Sequence, residues 1–519
     1  MLGSVYYRAG RERDANAEWD AALAADPRNP GTYRLVASVM AENRLLDRAA
    51  DVYRRGRQGT GDKDLFTLEL AQLLSATMNY AGATTEYLRW LAKNPTQLSF
   101  VQSRLAQMTG REEGREAASA VIRQALGDRP DLPLLQLLAW LAMEGKKYEE
   151  AFAVYRKIDA LAGARGGEIF QFAEHAAGEK AYDVASRAFS EAIAAPLAAS
   201  LMPRARYGYA ACVEELQAGA DTFATPVRGT PATEAVPLYS GAVRLFQKVI
   251  EDYPHTEFAA RSWYQIALIQ SEKFLDREGA IASLGHVIAE AGPYPSLRND
   301  ATLVMGKIHV ARGDTAKAEG CFHGVLEAPD ALPDERDEAV FRLAEIDYFG
   351  GRFDSAMQKL ASITVNLKAD YANDALRLGA FLQENAAGTP EALRRFAGAE
   401  FLARQGKNTE AISLLLAVIA AYPRAALVDD ALMRVGELQA SAGFFRDAAA
   451  SYERLLAEFR ESSIALDRAQ FNLAEVYQFG MHDPARAQAA YEKLLADYPK
   501  SILAGRARQR IRQMRGESL

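Results

Sequence analysis

The stretch LGSVYYRAGRERDANAEWDAALAADP (residues 2–27) contains two short segments with apolar residues, separated by a glycine and a charged link. Small residues stand at Gly3 and Ala15, and the bulky Trp19 follows Ala15 by four positions. A spacing of four places two side chains on one face of a helix. Pro27 ends the second segment, because proline cannot continue a helix. The stretch therefore predicts two antiparallel helices that approach each other closely at the small residues.

The same arrangement recurs at a fixed interval. In the first 200 residues an alanine stands every 34 positions, and a bulky apolar residue follows each one by four positions. The alanines are Ala15, Ala49, Ala83, Ala117, Ala151 and Ala185, and the bulky residues are Trp19, Tyr53, Tyr87, Val121, Tyr155 and Phe189. One helical hairpin cannot bury its apolar face alone, so a recurrence of this kind predicts hairpins that stack on each other.

This pattern resembles the tetratricopeptide repeat (TPR), whose features appear in order as Leu2, Gly3, Tyr6, Ala15, Trp19, Ala22 and Pro27. The resemblance covers most of the chain. It implies an all-α fold, an α-solenoid in which about thirteen TPR helix pairs stack into a right-handed superhelix with a C-terminal capping helix. Aligned with the later units, Met1 falls at the sixth position of a repeat. We therefore expect a fragment, or an alternative start, of a longer protein, and any export signal or membrane anchor would lie in the missing part.

Beyond residue 200 the strict period is lost while the unit persists. We expect four regions: a regular N-terminal array over 1–200, an irregular middle array over 201–369, a C-terminal array over 370–500, and a capping helix with its tail over 501–519. The segment 217–237 is rich in Gly, Pro and Thr and has no helical periodicity, so it predicts a long loop inserted into the middle array.

Three further irregularities are visible in the second half of the chain. The stretches FLDREG (274–279) and MHDPARAQ (481–488) each predict a hairpin turn with about one additional residue. Around 370–406 two helical segments follow each other directly, so one partner helix is missing or reoriented. The stacking is expected to kink at that place.

Composition limits the classes of function. Hydrophobic residues make up 49% and charged residues 25% of the 519 positions, and a net charge of −7 comes from interspersed acids and bases. No basic patch indicates nucleic acid as a partner. No apolar run reaches the roughly 18 residues of a membrane span, so membrane contact is expected only through a partner or a missing N-terminal anchor. The two cysteines, Cys212 and Cys321, are expected to be buried free thiols.

No catalytic constellation stands out, and we predict a protein that is not an enzyme and that needs no cofactor or metal. His309, His323 and Cys321 would fall in one repeat, but scattered core and surface histidines are the simpler interpretation. The glycine-rich GARGGE (163–168) lacks the Lys-Ser/Thr pair that grips phosphate, so it predicts a turn between repeats.

By the TPR resemblance, the fifth and ninth positions of each first helix face a concave groove. In the N-terminal array the candidate partner-binding residues at these positions are Gln72, Gln102, Gln136, Trp140, Phe170 and Glu174. Trp140 stands out, because a large aromatic side chain on a solvated face is typical of a contact anchor. The alternative is that Trp140 packs beneath a neighbouring helix.

In the C-terminal half the same positions form two rows. The apolar row contains the candidates Phe341, Phe396 and Phe471, and the acidic row contains Glu345, Glu400, Glu437 and Glu475. An apolar row beside an acidic row would suit an amphipathic or basic peptide. The alternative is that the apolar residues pack against the next repeat and the glutamates are solvated. A Lys/Asn/Arg clamp for acidic peptide tails, as some TPR proteins have, is not recognisable.

These observations favour a non-enzymatic scaffold that binds a partner protein or peptide in its groove, within a multiprotein complex. Two alternatives stay open: a regulatory or targeting subunit of an enzyme complex, and a self-assembling structural component of a cell-envelope machine. The stretches EDYPHTEFAARSWYQIA (251–267) and AAYPRAALVDDALMRVG (420–436) resemble the repeats of bacterial envelope TPR proteins, namely the outer-membrane-protein assembly lipoprotein and the Tol-Pal coordinator. That resemblance implies the periplasm or the outer membrane, with the cytoplasm as the alternative.

Overall fold

The computed structural model describes residues 2–127, 130–223, 232–366, 368, 370–386, 388–459 and 466–516, with the backbone alone for 220–223 and 232–237. Within these residues all regular structure is helical and no strand is present. Successive helices pack on their neighbours in the chain. The fold is an all-α solenoid, as the sequence predicts. Two compact units can be separated, Met1–Cys212 and Val213–Leu519, and we call them unit 1 and unit 2. The finer division at 369/370 and 500/501 stays a prediction.

Unit 1 contains twelve of the described helices, with a short 3-10 turn at Pro95–Gln97. They are α1 (Leu2–Arg8), α2 (Glu12–Ala25), α3 (Pro30–Glu42), α4 (Leu46–Thr60), α5 (Thr67–Ala76), α6 (Tyr80–Lys93), α7 (Leu98–Thr109), α8 (Glu112–Leu126), α9 (Leu132–Glu144), α10 (Tyr148–Ala162), α11 (Gly167–Gly178) and α12 (Tyr182–Ala194). Helix α13 (Met202–Phe223) begins in unit 1 and ends in unit 2.

Unit 2 continues with fifteen described helices and a π turn at Val476–Gly480. They are α14 (Ala232–Asp252), α15 (Glu257–Glu272), α16 (Arg277–Glu290), α17 (Pro295–Arg312), α18 (Thr315–Glu327), α19 (Pro333–Phe349), α20 (Phe353–Ile363), α21 (Ala372–Ala386), α22 (Pro390–Arg404), α23 (Asn408–Ala421), α24 (Val428–Ser441), α25 (Phe445–Glu458), α26 (Leu466–Glu475), α27 (Pro484–Asp497) and α28 (Ala504–Met514).

Most helices pack in consecutive pairs. Six hairpins in unit 1 run from α1/α2 to α11/α12, and six in unit 2 are α15/α16, α17/α18, α19/α20, α22/α23, α24/α25 and α26/α27. Helix α28 packs on α27 as the predicted C-terminal cap. Helices α13 and α14 flank residues 224–231, which lie outside the described residues. Because α13 reaches Phe223 and α14 starts at Ala232, the described parts of the predicted loop 217–237 are helical. The alanines of this segment favour helix, although the segment lacks the apolar periodicity by which a helix is predicted from sequence.

The hairpins share one turn geometry. Every turn except that of α7/α8 has a residue in the left-handed region of backbone conformation. These residues are Gly10, Arg44, Met78, Lys146 and Lys180 in unit 1, and Leu275, Gly313, Gly351, Gly406, Gly443 and His482 in unit 2. In nine turns the next N–H donates to the carbonyl five residues before it, at 2.8–3.0 Å, as in Leu45 to Met40. This is the Schellman closure of a helix end. In the other two turns the bond spans six residues, Asp276 to Gln270 and Asp483 to Tyr477. These are the two turns for which the sequence predicts an additional residue.

The turn fixes the packing of the helix that follows. Five residues after each left-handed residue stands an alanine with no exposed surface: Ala15, Ala49, Ala83, Ala151, Ala185, Ala280, Ala318, Ala356, Ala411, Ala448 and Ala487. Four residues later the predicted bulky side chain is buried in ten of the eleven hairpins, and only Tyr155 is partly exposed. Small residues at the helix crossing and bulky residues one turn away therefore build the core.

Hairpin α7/α8 departs from the predicted register. Its turn has no left-handed residue among Gly110 and Arg111, and the buried interior positions of α8 are Ala118 and Ile122. The predicted Ala117 and Val121 are only partly buried. The register shifts by one residue because this turn lacks the geometry that the others share.

Helix α21 is the irregular element expected around 370–406. It lies between two hairpins without a partner of its own, and α19 packs directly on α22. The rings of Phe349 and Phe401 stack across that contact with 5.2 Å between centroids. The ring of Phe381, on α21, meets Tyr348 edge-on at 6.3 Å. Helix α21 therefore covers one side of the α19/α22 contact.

Candidate functional site

The sequence-predicted Gln102 and Trp140 meet at one open depression in unit 1. Helices α7 and α9 present their side chains to a surface depression with a volume of about 330 Å³. Its lining residues are Ser99, Gln102, Ser103, Ala106, Thr109, Gly110, Trp140 and Glu144. Trp140 is half-buried against the core of unit 1, and its indole makes no hydrogen bond to a described residue. A flat apolar surface among short polar groups can contact both the side chains and the backbone of a polypeptide.

The other candidates of unit 1 lie in different surroundings. Gln72 is exposed on α5 and Gln136 is half-buried on α9. Phe170 is 3% exposed and packs edge-on against Phe189, with 6.1 Å between ring centroids. Glu174 forms an ion pair with Arg204, while burial raises the pKa of its carboxyl above the usual range. Phe170 is therefore a core residue, and Glu174 already has a cation partner.

The predicted apolar row of unit 2 lies in the hydrophobic core. Phe341, Phe396 and Phe471 are 7%, 6% and 2% exposed. All three belong to one cluster of buried side chains that continues from α19 to α28. The structure thus places these rings between stacked hairpins, which is the alternative that the sequence left open.

The predicted acidic row is paired with arginines from neighbouring helices. Glu345 accepts from Arg404 at 2.6 Å. Glu400 accepts from Arg434 at 2.6 Å, and Glu475 lies 3.2 Å from Arg510. Each of these carboxylates therefore has a guanidinium within ion-pair distance.

These pairs belong to three ion-pair networks that follow each other along the chain, and we call the three together the charge ladder. Its members are Lys307, Glu338, Arg342, Glu345, Glu400, Arg404, Arg434, Glu437, Arg468, Glu475, Arg506 and Arg510. The side chains of the four predicted glutamates are 14–31% exposed, whereas those of Arg404, Arg468 and Arg506 are 45–59% exposed. Because each of these carboxylates is paired with at least one guanidinium group, the row does not present a free acidic surface.

A second group of carboxylates, which the repeat pattern does not predict, lies outside the ladder. Asp429 and Asp430 begin α24, and Glu384 lies near the end of α21. None of the three forms an ion pair or a hydrogen bond with a described residue. Burial, followed by the neighbouring Asp429 and Glu384, raises the pKa of the Asp430 carboxyl to about 7. Adjacent aspartates at a helix start were visible in the sequence, but their proximity to Glu384 depends on α21, whose position the repeat pattern does not predict.

Neither a metal centre nor a membrane span is found in the part of the chain that the structure describes. Over residues 2–516, apart from the gaps given above, no group of three or more His, Cys, Asp or Glu is arranged to hold a metal ion. No helix over the same residues has the length and hydropathy needed to cross a bilayer. His309 is buried with its Nδ1 unpaired, and burial lowers its pKa.

Comparison with known proteins gives matches to repeat models and to helical structures. Tetratricopeptide-repeat models match residues 1–63 and residues 468–501. No curated protein sequence matches the chain. Two solved structures are each similar to this chain at 15% identity. The match to the human IFIT1 dimer with PPP-AAAA covers 82% of this chain and 90% of that chain, with a TM-score of 0.30. The match to Naa15/Naa10 bound to HypK-THB covers 99% of this chain and 73% of that chain, with a TM-score of 0.31. Tetratricopeptide repeats are thus matched in two segments, one at each end of the chain.

Proposed function

We propose that this chain is a non-enzymatic scaffold that binds a segment of a partner protein against the first helices of its hairpins, as part of a multiprotein complex. Tetratricopeptide repeats are a protein-interaction fold, which supports the general role. The finer proposal concerns the place of contact, the depression between α7 and α9.

The observation that supports this place is the exposure of Trp140 beside Gln102. Aromatic side chains that are half-open to solvent and surrounded by polar groups dominate the energetics of many interfaces. Gln102, Ser99 and Ser103 have donors and acceptors that suit the backbone of an extended peptide. The partner would bury the open face of the indole and use these groups to fix its register.

Photocrosslinking tests the proposal. A benzoylphenylalanine at Ser103, which lines the depression, is compared in native cells with one at Gln124, an exposed position on α8. We expect Ser103 to crosslink a discrete protein and Gln124 not to do so. Adding Trp140→Ala with Gln102→Ala to the Ser103 probe should reduce that product at least tenfold. Equal crosslinking from the two probe positions, or a product insensitive to the double substitution, would reject this surface.

We further propose that the complex belongs to the bacterial cell envelope. The support is that the repeats which end in Tyr-Pro, at Tyr253, Tyr422 and Tyr498, resemble the repeats of bacterial envelope TPR proteins. Fractionation of native cells into cytoplasm, periplasm and membranes measures this directly. Recovery of the protein in the cytoplasmic fraction alone would contradict an envelope role.

A further inference from the structure

Several first helices of the hairpins carry an aromatic residue followed four positions later by a glutamate. In three of these helices a single arginine contacts both side chains. On α11, Arg204 lies over the ring of Phe170, with 6.0 Å from the guanidinium carbon to the ring centroid, and it also forms an ion pair with Glu174. A spacing of four places the ring and the carboxylate on one face of the helix, so one guanidinium group can reach both.

Unit 2 repeats this arrangement on α19. The guanidinium carbon of Arg342 lies 5.5 Å from the ring centroid of Phe341, and Arg342 donates to Glu345 at 2.6 Å. Here the arginine belongs to the same helix as the ring and the carboxylate. The pair of aromatic residue and glutamate therefore binds a guanidinium group whichever helix provides it.

The third arrangement is on α26, and its arginine comes from the capping helix α28. Arg506 lies 4.7 Å from the ring centroid of Phe471 and 3.6 Å from the carboxylate of Glu475. Arg506 follows Phe471 by 35 residues, and Arg204 follows Phe170 by 34 residues. In both cases the arginine is thus presented about one repeat later in the chain.

Trp140 and Glu144 have the same spacing on α9, and both line the depression between α7 and α9. Among the described residues, no lysine or arginine lies over the indole ring or within ion-pair distance of Glu144. The residue 34 positions after Trp140 is Glu174, so the chain has an acid at the interval where two of the other helices receive an arginine. This pair therefore lacks the cation that the other three have.

A neighbouring arginine is already bound elsewhere. Arg115, on α8, donates from Nη1 to the carbonyl oxygens of Thr109 at 2.8 Å and Gly110 at 3.3 Å, at the end of α7. It is not among the residues that line the depression, whose only charged member is Glu144. The open face of the depression thus carries one negative charge beside an exposed aromatic surface, which is complementary to a cation.

We propose that the depression binds an arginine side chain of the partner protein, with the guanidinium group over the Trp140 ring and paired with Glu144. The inference rests on the proposed scaffold function and names the chemistry of one partner residue. Tryptophan is the aromatic side chain that attracts cations most strongly. The side-chain oxygens of Gln102 and Ser103 can accept further guanidinium N–H groups. Arginine is the expected cation because its planar group stacks on a ring and still donates at its edge, as the three internal arrangements illustrate.

The test uses the full chain with 5-fluorotryptophan at its four tryptophans and a peptide probe, acetyl-Gly-Gly-Arg-Gly-Gly-amide. The ¹⁹F resonance of Trp140 is identified by its absence from Trp140→Phe. This resonance should shift saturably as the arginine peptide is added. A peptide with neutral citrulline in place of arginine, which has nearly the same shape, should bind at least tenfold more weakly. Equal binding of the two peptides, or no saturable shift with the arginine peptide, would overturn the inference.

Matched charge variants complete the test. Glu144→Gln should weaken binding of the arginine peptide at least tenfold and leave the citrulline peptide unaffected. Glu18→Gln removes the same charge at an exposed position on α2, outside the depression, and should leave both affinities within twofold. Unchanged affinity for arginine in Glu144→Gln would overturn the inference. Failure of the scaffold proposal would appear as the loss of specific Ser103 crosslinking, whereas specific crosslinking together with equal binding of the two peptides would reject the arginine site alone.

Discussion

Unit 1 and unit 2 make the same hairpin turn with different residues. In unit 1 the left-handed position is occupied by one glycine and by Arg44, Met78, Lys146 and Lys180, at a spacing of 34 residues or a multiple of it. In unit 2 it is occupied by four glycines, and the two exceptions, Leu275 and His482, lie in the turns with an extra residue. The interval to the buried alanine is five residues in both units. The fold therefore depends on the interval between turn and crossing, and neither a fixed repeat length nor glycine is required.

The two units also differ in the ion pairs that join neighbouring hairpins. Apart from one network around the buried Glu86, which pairs with Arg57 at 2.6 Å, unit 1 has exposed pairs about one repeat apart, such as Arg55 with Asp20 at 2.9 Å and Arg34 with Glu69 at 3.2 Å. In unit 2 an arginine such as Arg434 connects two glutamates, and the pairs continue into a ladder. The glutamates of the ladder are less exposed than Asp20 and Glu69 in these exposed pairs, so the arginines of the ladder should matter more for stability than Arg55 or Arg34.

The largest effect is expected where the two units agree, at glycines that meet a bulky ring at a helix crossing. A Cβ at Gly436 would lie 2.6 Å from Tyr452, and one at Gly3 would lie 2.6 Å from Trp19. Gly436→Val should destabilise unit 2 by about 3 kcal/mol or more, because the helices must separate. Urea unfolding followed by circular dichroism measures the loss.

Gly285 provides the control for this substitution. It lies inside α16, and a Cβ there would meet open space. Gly285→Ala should therefore be neutral or stabilising by up to about 1 kcal/mol, since alanine is the better helix former. If Gly436→Val unfolds at the same urea concentration as the original chain, close crossing at small residues is not what holds the hairpins together.

The second prediction contrasts the ladder with an isolated pair. Arg434→Met should cost about 2–3 kcal/mol, because Glu400 and Glu437 would be left partly buried beside each other. Arg55→Met in unit 1 should change the free energy of unfolding by no more than about 0.5 kcal/mol, since Arg55 and Asp20 are both exposed. Thermal unfolding of both variants at low and high salt gives the comparison. Similar losses in the two variants would show that the ladder has no special role.

The third prediction concerns pH and the acids that the ladder leaves unpaired. With a folded pKa of about 7 against about 4 in the unfolded chain, Asp430 binds a proton more tightly when folded. Its contribution to stability therefore falls as the pH rises from about 4 to 7 and stays low above that range. Asp430→Asn should be more stable than the original chain by about 1–2 kcal/mol at pH 8 after allowance for solvent screening, and equal to it at pH 4. Asp497→Asn, at an exposed acid, should show no such pH-dependent gain in the same unfolding series.

The sequence was sufficient for features that depend on local sterics. Ala49 and Tyr53 could be assigned because a close helix crossing admits only small residues at one position and needs bulk one turn later. The register of α8 could not be assigned from the sequence, because one atypical turn moves the buried residues to Ala118 and Ile122. Glu400 could be singled out from its position in the repeat. Its pairing with a cation could not be predicted, because it depends on the direction in which the Arg434 side chain extends. Tyr348 meets Phe381 only because α21 is inserted between hairpins, and no periodic pattern contains that information.

The smallest effect tests the turns, where the units differ most directly. Met78→Gly should stabilise unit 1 by about 0.5–1 kcal/mol, because a non-glycine residue at φ of 59° is strained. Gly443→Ala, at φ of 82° in unit 2, should destabilise by about 1 kcal/mol for the same reason, and no atom within 4 Å of the new Cβ would add a clash. Chemical denaturation of the two variants measures opposite shifts of the midpoint. Shifts in the same direction would mean that the left-handed residue is not the element that sets the interval to the buried alanine, and that the helices themselves dictate the turn.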